Sequence, residues 1–209
     1  EHDQTLWQIL PLGPTGYGDS PYACFSALAG NPMLIDLSQL VETGDLRESD
    51  LEDAPDFPTG HVDFGAVISF KNAILRQAAR TFREHAQGER RDAFDSFCVK
   101  SADWLEDFAL FMALKDAHGG AVWDTWEEPL VAREPAAMQA WREQLDEEIF
   151  AQRYFQYQFF KQWRAVKAYA NEHDVEIIGD IPIFVAYDSV DVWANPELYY
   201  LDENLQPTR

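Results

Sequence analysis

The order of a helix, a short apolar strand and a carboxylate near the end of the chain constrains its fold most strongly. A helical run ends at residues 169–173, and residues 175–178 (VEII) are apolar and rich in strand formers. Gly179 and Asp180 follow this strand directly. This order is typical of βα barrels, whose chemistry lies at the carboxyl ends of the strands. We therefore expect Asp180 to lie at the rim of a barrel.

A loop rich in glycine and proline follows a second predicted strand near the start of the chain. The strand covers residues 6–10 (LWQIL) and is expected to be buried, and the loop covers residues 10–22 (LPLGPTGYGDSPY). Its glycines and prolines prevent it from continuing as a strand or a helix. Because this loop also leaves the carboxyl end of its strand, Tyr22 and Asp180 are expected to meet over one barrel mouth.

Several aromatic side chains are open to two interpretations. A tyrosine ring offers an apolar face to the C–H side of a sugar and a hydroxyl to its rim, which suits Tyr17 and Tyr22 for sugar binding. Composition alone favours the alternative, a rigid connector whose tyrosines pack. Trp123 and Trp126 form either a sugar-stacking lip or anchors for their loop, and anchors are favoured.

Between the two strands the chain is predicted to be mainly helical. Residues 33–37 form a short strand or a buried turn, and residues 40–65 an irregular crossing. Helices are expected over residues 67–85 and 91–99, from an N-cap at Ser101 to Gly119–Gly120, and from Pro135 to about residue 171 with a break near Gln152. Residues 1–39 are then a barrel strand with its loop, 40–138 a helical insertion, and 139–209 a barrel helix, strand and rim loop.

The charge of the chain argues against anionic partners. Its 209 residues carry a formal net charge of −21, which disfavours nucleic acid and anionic membranes as partners and is indifferent to a neutral glucan. No apolar run is long enough for a transmembrane helix. Residues 1–4 (EHDQ) are polar and do not resemble a signal peptide, and the missing Met places the expected N-terminus upstream.

Cysteine and histidine spacing predicts neither a metal site nor a cofactor site. Cys24 and Cys98 have no metal-ligand spacing and indicate a reducing cytoplasm, although the sequence leaves a disulfide between them open. The histidines are scattered and are expected to be surface or capping residues. The glycines of the loop lack the lysine and helix start of a phosphate site.

Three blocks of sequence resemble one enzyme family. They are residues 10–37, residues 104–115 (WLEDFALFMALK) and residues 179–198, which begin GDIPIFVA and end DVWANPEL. In this order they look like the 4-α-glucanotransferases called amylomaltases or disproportionating enzymes, glycoside hydrolase family 77. The fold implied is α/β, part of a (β/α)8 TIM barrel of the α-amylase type with a large, mainly helical insertion.

The resemblance also implies roles for individual residues. Tyr22 matches the tyrosine that stacks under the sugar at the cleavage point, and Asp180 the aspartate that binds hydroxyls of that sugar without being the nucleophile. Ser20 and Asp19 lie in the same substrate-binding loop, and Gly18 lets the backbone approach the glucan.

Two departures from the family limit what the resemblance carries over. Tyr17 and Phe64 match a second glucan site in which some members have tyrosine at both positions, and phenylalanine keeps the stacking face without the hydroxyl. The family's nucleophilic aspartate and acid/base glutamate match nothing up to Arg209 and are expected beyond it. A retaining transglycosylase needs two such carboxyl groups close together, so this segment alone is expected to be inactive.

The function implied is that of a cytoplasmic 4-α-glucanotransferase. It would transfer α-1,4-glucan segments between maltodextrins or other maltooligosaccharides by a retaining double displacement, without a cofactor or metal. The alternative is a non-catalytic module that binds glucan or protein through the same loops.

Overall fold

The computed structural model describes residues 4–208, so that Arg209 and the first three residues of the polar N-terminus lie outside it. The chain is mostly helical with a small parallel sheet. Its elements are strand β1 (Leu6–Gln8), helices α1 (Ser38–Glu42), α2 (Phe64–His85), α3 (Glu89–Lys100), α4 (Ala102–Ala117), α5 (Glu128–Val131), α6 (Pro135–Gln144) and α7 (Asp146–Glu172), strand β2 (Glu176–Ile178) and helix α8 (Val190–Ala194). None of the described helices has the length and apolar character that a membrane span requires.

The sheet consists of β1 and β2, which run parallel. Leu6 lies opposite Glu176 and Gln8 opposite Ile178, and the Ile9 amide extends the pairing by donating to the Ile178 carbonyl at 3.0 Å. The prediction of a buried strand over residues 6–10 is wrong in extent and burial, because Leu6 is 57% and Trp7 49% exposed. Within residues 4–208, β2 is the single strand that pairs with β1.

Helix α2 begins three residues earlier than predicted, and Ser101 is the N-cap residue of α4 as predicted, but without a side-chain cap. The Asp63 carboxylate accepts a hydrogen bond from the Ala66 amide at 3.1 Å, which satisfies one of the free donors of the first turn. Ser101 makes no such side-chain bond, because it also ends α3 and has φ −108° and ψ 6°. A capping serine needs an extended backbone to reach the first turn.

The long helical run divides at Leu145 and not near Gln152. Leu145 leaves helical geometry, with φ −107° and ψ 27°, and α7 then continues for 27 residues. Three acidic residues, Asp146, Glu147 and Glu148, stand in its first turn, where they complement the positive end of the helix dipole. Gln152 lies buried inside the unbroken helix.

Two apolar clusters form the core, one built mainly on α4 and the other on α7. One surrounds Phe111 of α4 and contains Trp123, Trp126 and Trp193. The other joins α2, α3 and α7 through Phe82, Phe94 and their neighbours, and includes Ile35 and Leu40 from the first part of the chain. The second cluster therefore draws on all three predicted segments.

The connecting segments resolve the alternatives that the sequence left open. Residues 33–37 are a turn, which begins as a 3-10 helix (Pro32–Leu34) and buries Ile35. The crossing over residues 40–65 contains the end of α1 and a 3-10 helix (Glu48–Leu51), and helix α5 follows shortly after Trp123 and Trp126. Trp123 and Trp126 are buried, so they anchor their loop as favoured above.

Two glutamines of α7 attach the first part of the chain to the helices. Gln156 accepts from the Gly30 amide at 2.8 Å and donates to the Gly30 carbonyl at 2.9 Å, and Gln162 binds the two backbone groups of Asp36 in the same way. The backbone approaches α7 so closely that a Cβ on Gly30 would lie 1.9 Å from a ring carbon of Phe159. Glycine is therefore required at this point.

Candidate functional site

The loop that carries Tyr22 folds back on itself as a narrow hairpin. The Gly16 amide donates to the Ala23 carbonyl at 2.7 Å, and the Phe25 amide to the Pro14 carbonyl at 3.0 Å. A 3-10 turn (Tyr17–Asp19) closes the hairpin, with Gly18 at φ +67°, a backbone angle that glycine adopts at low cost. The hairpin holds Tyr22 half-exposed beyond the carboxyl end of β1.

Tyr22 and Asp180 meet, as the order of the elements predicts. The Tyr22 hydroxyl donates to Asp180 Oδ2 at 2.6 Å, and the Ile181 amide donates to Asp180 Oδ1 at 2.8 Å. The hydrogen bond to Asp180 raises the pKa of Tyr22 above its usual value, with smaller contributions from burial and from the charge of Asp180. The phenol therefore remains a neutral donor at physiological pH.

The two side chains line an open depression at the carboxyl ends of β1 and β2. We call it the rim depression; it has a volume of about 430 Å³ and is lined by Tyr22, Asp180, Ile181, Pro182, Ile183 and Phe184. Ile183 and Phe184 are 90% and 83% exposed. One carboxylate beside an aromatic ring and an apolar wall suits a neutral ligand with hydroxyl groups on its edge. Each carboxylate oxygen keeps a free lone pair for such a hydroxyl.

Lys115 of α4 joins the two segments that form the depression. Its Nζ donates to Asp188 Oδ2 at 2.5 Å and to the carbonyls of Gly120 and Ala121 at 2.9 and 3.0 Å. The same ammonium lies 5.2 Å from the centroid of the Phe25 ring, which follows the tyrosine hairpin. The Val190 amide also donates to the Phe25 carbonyl at 2.9 Å. These bonds fix the segment after Asp180 against the segment after Tyr22.

The structure separates the other predicted substrate-binding residues. Ser20 Oγ accepts from the Tyr22 amide at 3.2 Å and so supports the tyrosine from within the hairpin. Asp19 lines a different cavity of about 300 Å³, between the hairpin and the helices. A Cβ on Gly18 would meet no atom of the described chain within 4 Å, so its positive φ is the structural reason for glycine.

Tyr17 and Phe64 both present their rings to solvent. Tyr17 is 95% exposed at the tip of the hairpin, and Phe64 is 42% exposed as the first residue of α2. Within residues 4–208 neither ring stacks on another aromatic side chain. Both faces of the Tyr17 ring are therefore open to a ligand.

The cysteines and histidines contribute no ligand cluster to the described part of the chain. Cys24 is buried and Cys98 half-buried, and both are free thiols, which settles the disulfide alternative. His118 ends α4, where its Nδ1 lies 2.8 Å from the Leu114 carbonyl and its Nε2 2.9 Å from Glu127. No group of three or more metal-ligating side chains occurs within residues 4–208.

Sequence reasoning missed the apolar wall and the lysine behind it. Ile183 and Phe184 belong to the block of residues 179–198 but carry no polar group that marks a site. Lys115 ends an apolar helix face, where a lysine usually reaches solvent. Its burial depends on Asp188, 73 residues further along the chain.

The comparisons with known proteins agree along the chain. A family model described as 4-alpha-glucanotransferase matches residues 1–205. A 4-alpha-glucanotransferase of Thermus thermophilus is 54% identical over 202 residues, which are 97% of this chain and 40% of that protein. One of Synechocystis sp. is 49% identical over 200 residues, which are 96% of this chain and 40% of that protein.

A solved structure is also similar over almost the full chain. It is described as amylomaltase from Streptococcus agalactiae in complex with acarbose, and it superposes with a TM-score of 0.91 at 38% sequence identity. The match covers 98% of this chain and 41% of that one. The chain thus spans about 40% of the length of the curated relatives it matches.

Proposed function

Because this chain belongs to glycoside hydrolase family 77, the 4-α-glucanotransferases, we propose that the protein containing it transfers α-1,4-glucan segments between maltodextrins. Its substrates are then maltooligosaccharides and other α-1,4-glucans, as donor and as acceptor. The observation that carries this proposal is the Tyr22–Asp180 contact at the carboxyl ends of two parallel strands.

The rim depression supports a role in binding the sugar beside the bond that breaks. The ring of Tyr22 offers an apolar face, and Asp180 accepts hydrogen bonds from the hydroxyls of the same sugar. Ile183 and Phe184 remove water from one side, which favours attack by a second sugar over hydrolysis. Ser20 and Gly18 keep the hairpin in the conformation that holds Tyr22.

The bond-breaking groups lie beyond Arg209 in this proposal. A carboxylate attacks the anomeric carbon while a carboxylic acid protonates the departing oxygen. The same acid group, now a carboxylate, then takes the proton from the 4-hydroxyl of an acceptor glucan, whose oxygen attacks the anomeric carbon and breaks its ester bond to the enzyme, with retention of configuration. This chain supplies the floor of the binding site and is inactive by itself.

The proposed architecture is an eight-stranded βα barrel of the α-amylase type. Residues 1–39 supply one strand with the tyrosine loop, residues 40–138 a helical insertion, and residues 139–209 a helix, a strand and the rim loop. The parallel pairing of β1 with β2 and the exposed apolar side chains on both strands support it, since a closed barrel would cover them.

Two further assignments are part of the proposal. Tyr17 and Phe64 form a second glucan site, supported by their exposed rings, in which Phe64 contributes stacking alone. The free thiols Cys24 and Cys98 support a reducing compartment, the cytoplasm.

Glucose release from maltotriose by the full-length protein tests the proposed function. We compare the wild type with Tyr22→Ala and Asp180→Ala, and we use Tyr169→Ala as a matched control. Tyr169 is also an exposed tyrosine but lies before β2, at the opposite edge of the sheet. Both site variants should lower kcat/KM at least about a hundredfold, a typical loss for misplaced substrate, and the control should keep the wild-type value.

Two results would contradict the proposal. A full-length protein that binds maltotriose but releases no glucose would favour the alternative of a binding module. Equal rates for the wild type, Tyr22→Ala and Asp180→Ala would leave the activity in place and remove the assignment of the rim depression.

A further inference from the structure

A groove between α3 and α7 collects positive charge on an acidic protein. We call it the cationic groove; its volume is about 530 Å³, and it is lined by Ala93, Ser96, Phe97, Lys100, Ser101, Tyr157, Lys161 and Arg164. It shares no residue with the rim depression. Three of its eight lining residues are cationic and none is acidic, although the chain has 37 acidic and 16 basic residues. This composition is the reverse of that of the whole chain.

The three cations of the groove differ from most other cations in being unpaired. Nine other basic side chains lie within 4.0 Å of a carboxylate, namely Arg76, Arg80, Arg83, Arg90, Arg91, Lys115, Arg133, Arg142 and Arg153, whereas Lys167 on α7 does not in the described chain. Lys100, Lys161 and Arg164 have no such neighbour within residues 4–208. Unpaired charges of one sign that face a groove attract a ligand of the opposite sign.

Hydroxyl groups without partners line the same groove. The side-chain oxygens of Ser96, Ser101 and Tyr157 form no hydrogen bond with any other described residue. Burial raises the pKa of the Tyr157 phenol; the charge of Arg90 acts against this increase, that of Asp45 adds to it, and Arg164 makes the smallest contribution, also against it. Arg164 and Tyr157 line the same cavity.

Ammonium, guanidinium and hydroxyl donors together match a phosphoryl group. Its three oxygens accept several charge-assisted hydrogen bonds, and a guanidinium can bind two of them at once. A neutral sugar would leave the three cations unpaired. A nucleic acid would meet repulsion from the rest of the surface.

We propose that the cationic groove binds the phosphate monoester of a sugar. Lys100, Lys161 and Arg164 hold the phosphoryl group, and the ring face of Tyr157 with Phe97 packs against the sugar. Free inorganic phosphate offers the same charged group without the sugar, so the two ligands must be compared. The site does not depend on the proposed glucan transfer, which uses a separate surface.

Isothermal titration of the full-length protein tests this assignment. Glucose 6-phosphate, inorganic phosphate and glucose are titrated at about pH 8, where a phosphate monoester is a dianion because its second pKa is about 6. Lys100→Gln, Lys161→Gln and Arg164→Gln each remove one charge from the groove. Lys167→Gln is the matched control, because Lys167 is also exposed and lies on α7 but does not line the groove.

We expect each groove variant to weaken binding of glucose 6-phosphate about tenfold, which corresponds to about 1.4 kcal/mol. Lys167→Gln should change the affinity less than twofold, and glucose should not compete. Tighter binding of the ester than of phosphate would assign the sugar ester, and equal affinity would assign free phosphate as the occupant.

Either of two results would overturn the assignment. One is the absence of saturable binding for both phosphate compounds. The other is an equal loss of affinity in the groove variants and in Lys167→Gln, because binding would then depend on the net charge of the protein and not on the groove. Glucose release from maltotriose is measured in parallel and should be unchanged in all four variants, so a failure of this site is distinguishable from a failure of the transfer reaction.

Discussion

Replacing Lys115 by methionine should destabilise the protein by an amount that the structure allows us to estimate. The Lys115 side chain is 5% exposed and donates to one carboxylate and two carbonyls. Its partner Asp188 is 26% exposed, and Asp188 Oδ1 is buried without a hydrogen bond in the described chain. Removing the ammonium therefore leaves a largely buried carboxylate with no cation.

Breaking one partner of a buried ion pair typically costs about 3–5 kcal/mol of the free energy of unfolding. We expect about 3 kcal/mol for Lys115→Met, because water reaches part of Asp188 and reduces the penalty. Asp188→Leu should cost a similar amount, because it leaves the ammonium buried and unpaired. The double variant should cost less than either single variant, since it removes both charges together.

Urea unfolding of the full-length protein, followed by tryptophan fluorescence, measures these differences. The control is Arg91→Met, which breaks an exposed i, i+4 pair with Asp95 and should cost below about 1 kcal/mol. A loss for Lys115→Met no larger than that for Arg91→Met would contradict a strong buried ion pair. So would a double variant in which the losses of Lys115→Met and Asp188→Leu simply add.

Two further predictions concern the hairpin and its attachment. Asp180→Asn should lower the pKa of Tyr22 toward the usual value of about 10, because it removes a charged acceptor. The pKa is measured by ultraviolet titration with Tyr22→Phe as the reference, and a pKa that stays raised in Asp180→Asn would contradict the prediction. In the wild type the Tyr22–Asp180 hydrogen bond contributes its full stabilisation of the folded state below pH 10, and this contribution is lost as the pH rises through the raised pKa of Tyr22. Gly30→Ala should lower the free energy of unfolding by about 1–3 kcal/mol through overpacking, since the added Cβ meets the Phe159 ring. Urea unfolding measures this loss, and Phe159→Leu in the same chain should recover part of it. A Gly30→Ala variant as stable as the wild type would refute the contact.

Local sequence signals predicted the helices well and their ends less well. The apolar spacing of residues 67–112 and the Gly119–Gly120 pair placed α2, α3 and α4 close to their observed positions. Ser101 is the N-cap residue of α4 as predicted, but its side chain makes no cap hydrogen bond, because the same residue also ends α3. The break at Leu145 lacked a proline or glycine to mark it.

The candidate site was predictable in part, because topology brings the ends of parallel strands together. One strand is followed by the tyrosine loop and the other by a carboxylate, and this order was enough to predict that Tyr22 and Asp180 meet. The Tyr22 hydroxyl lies 2.6 Å from Asp180 Oδ2. It was not enough to predict that Asp19, which has a positive φ of 54°, lines another cavity. No spacing rule encodes the conformation of this turn.

The helical part of the chain determines the geometry of the site more than the sheet does. Tyr22 and Asp180 are 158 residues apart, and the strands that carry their loops pair over only three residues each. So short a ladder fixes the direction of the strands but not the position of a side chain fourteen residues beyond the end of β1. That position depends on the hydrogen bonds of Gln156 with the backbone of Gly30 and on the ion pair of Lys115 with Asp188. Gln156 belongs to α7 and Lys115 to α4. Substitutions of Lys115 in α4 or Gln156 in α7 should therefore alter binding at the rim depression, although neither side chain lines it.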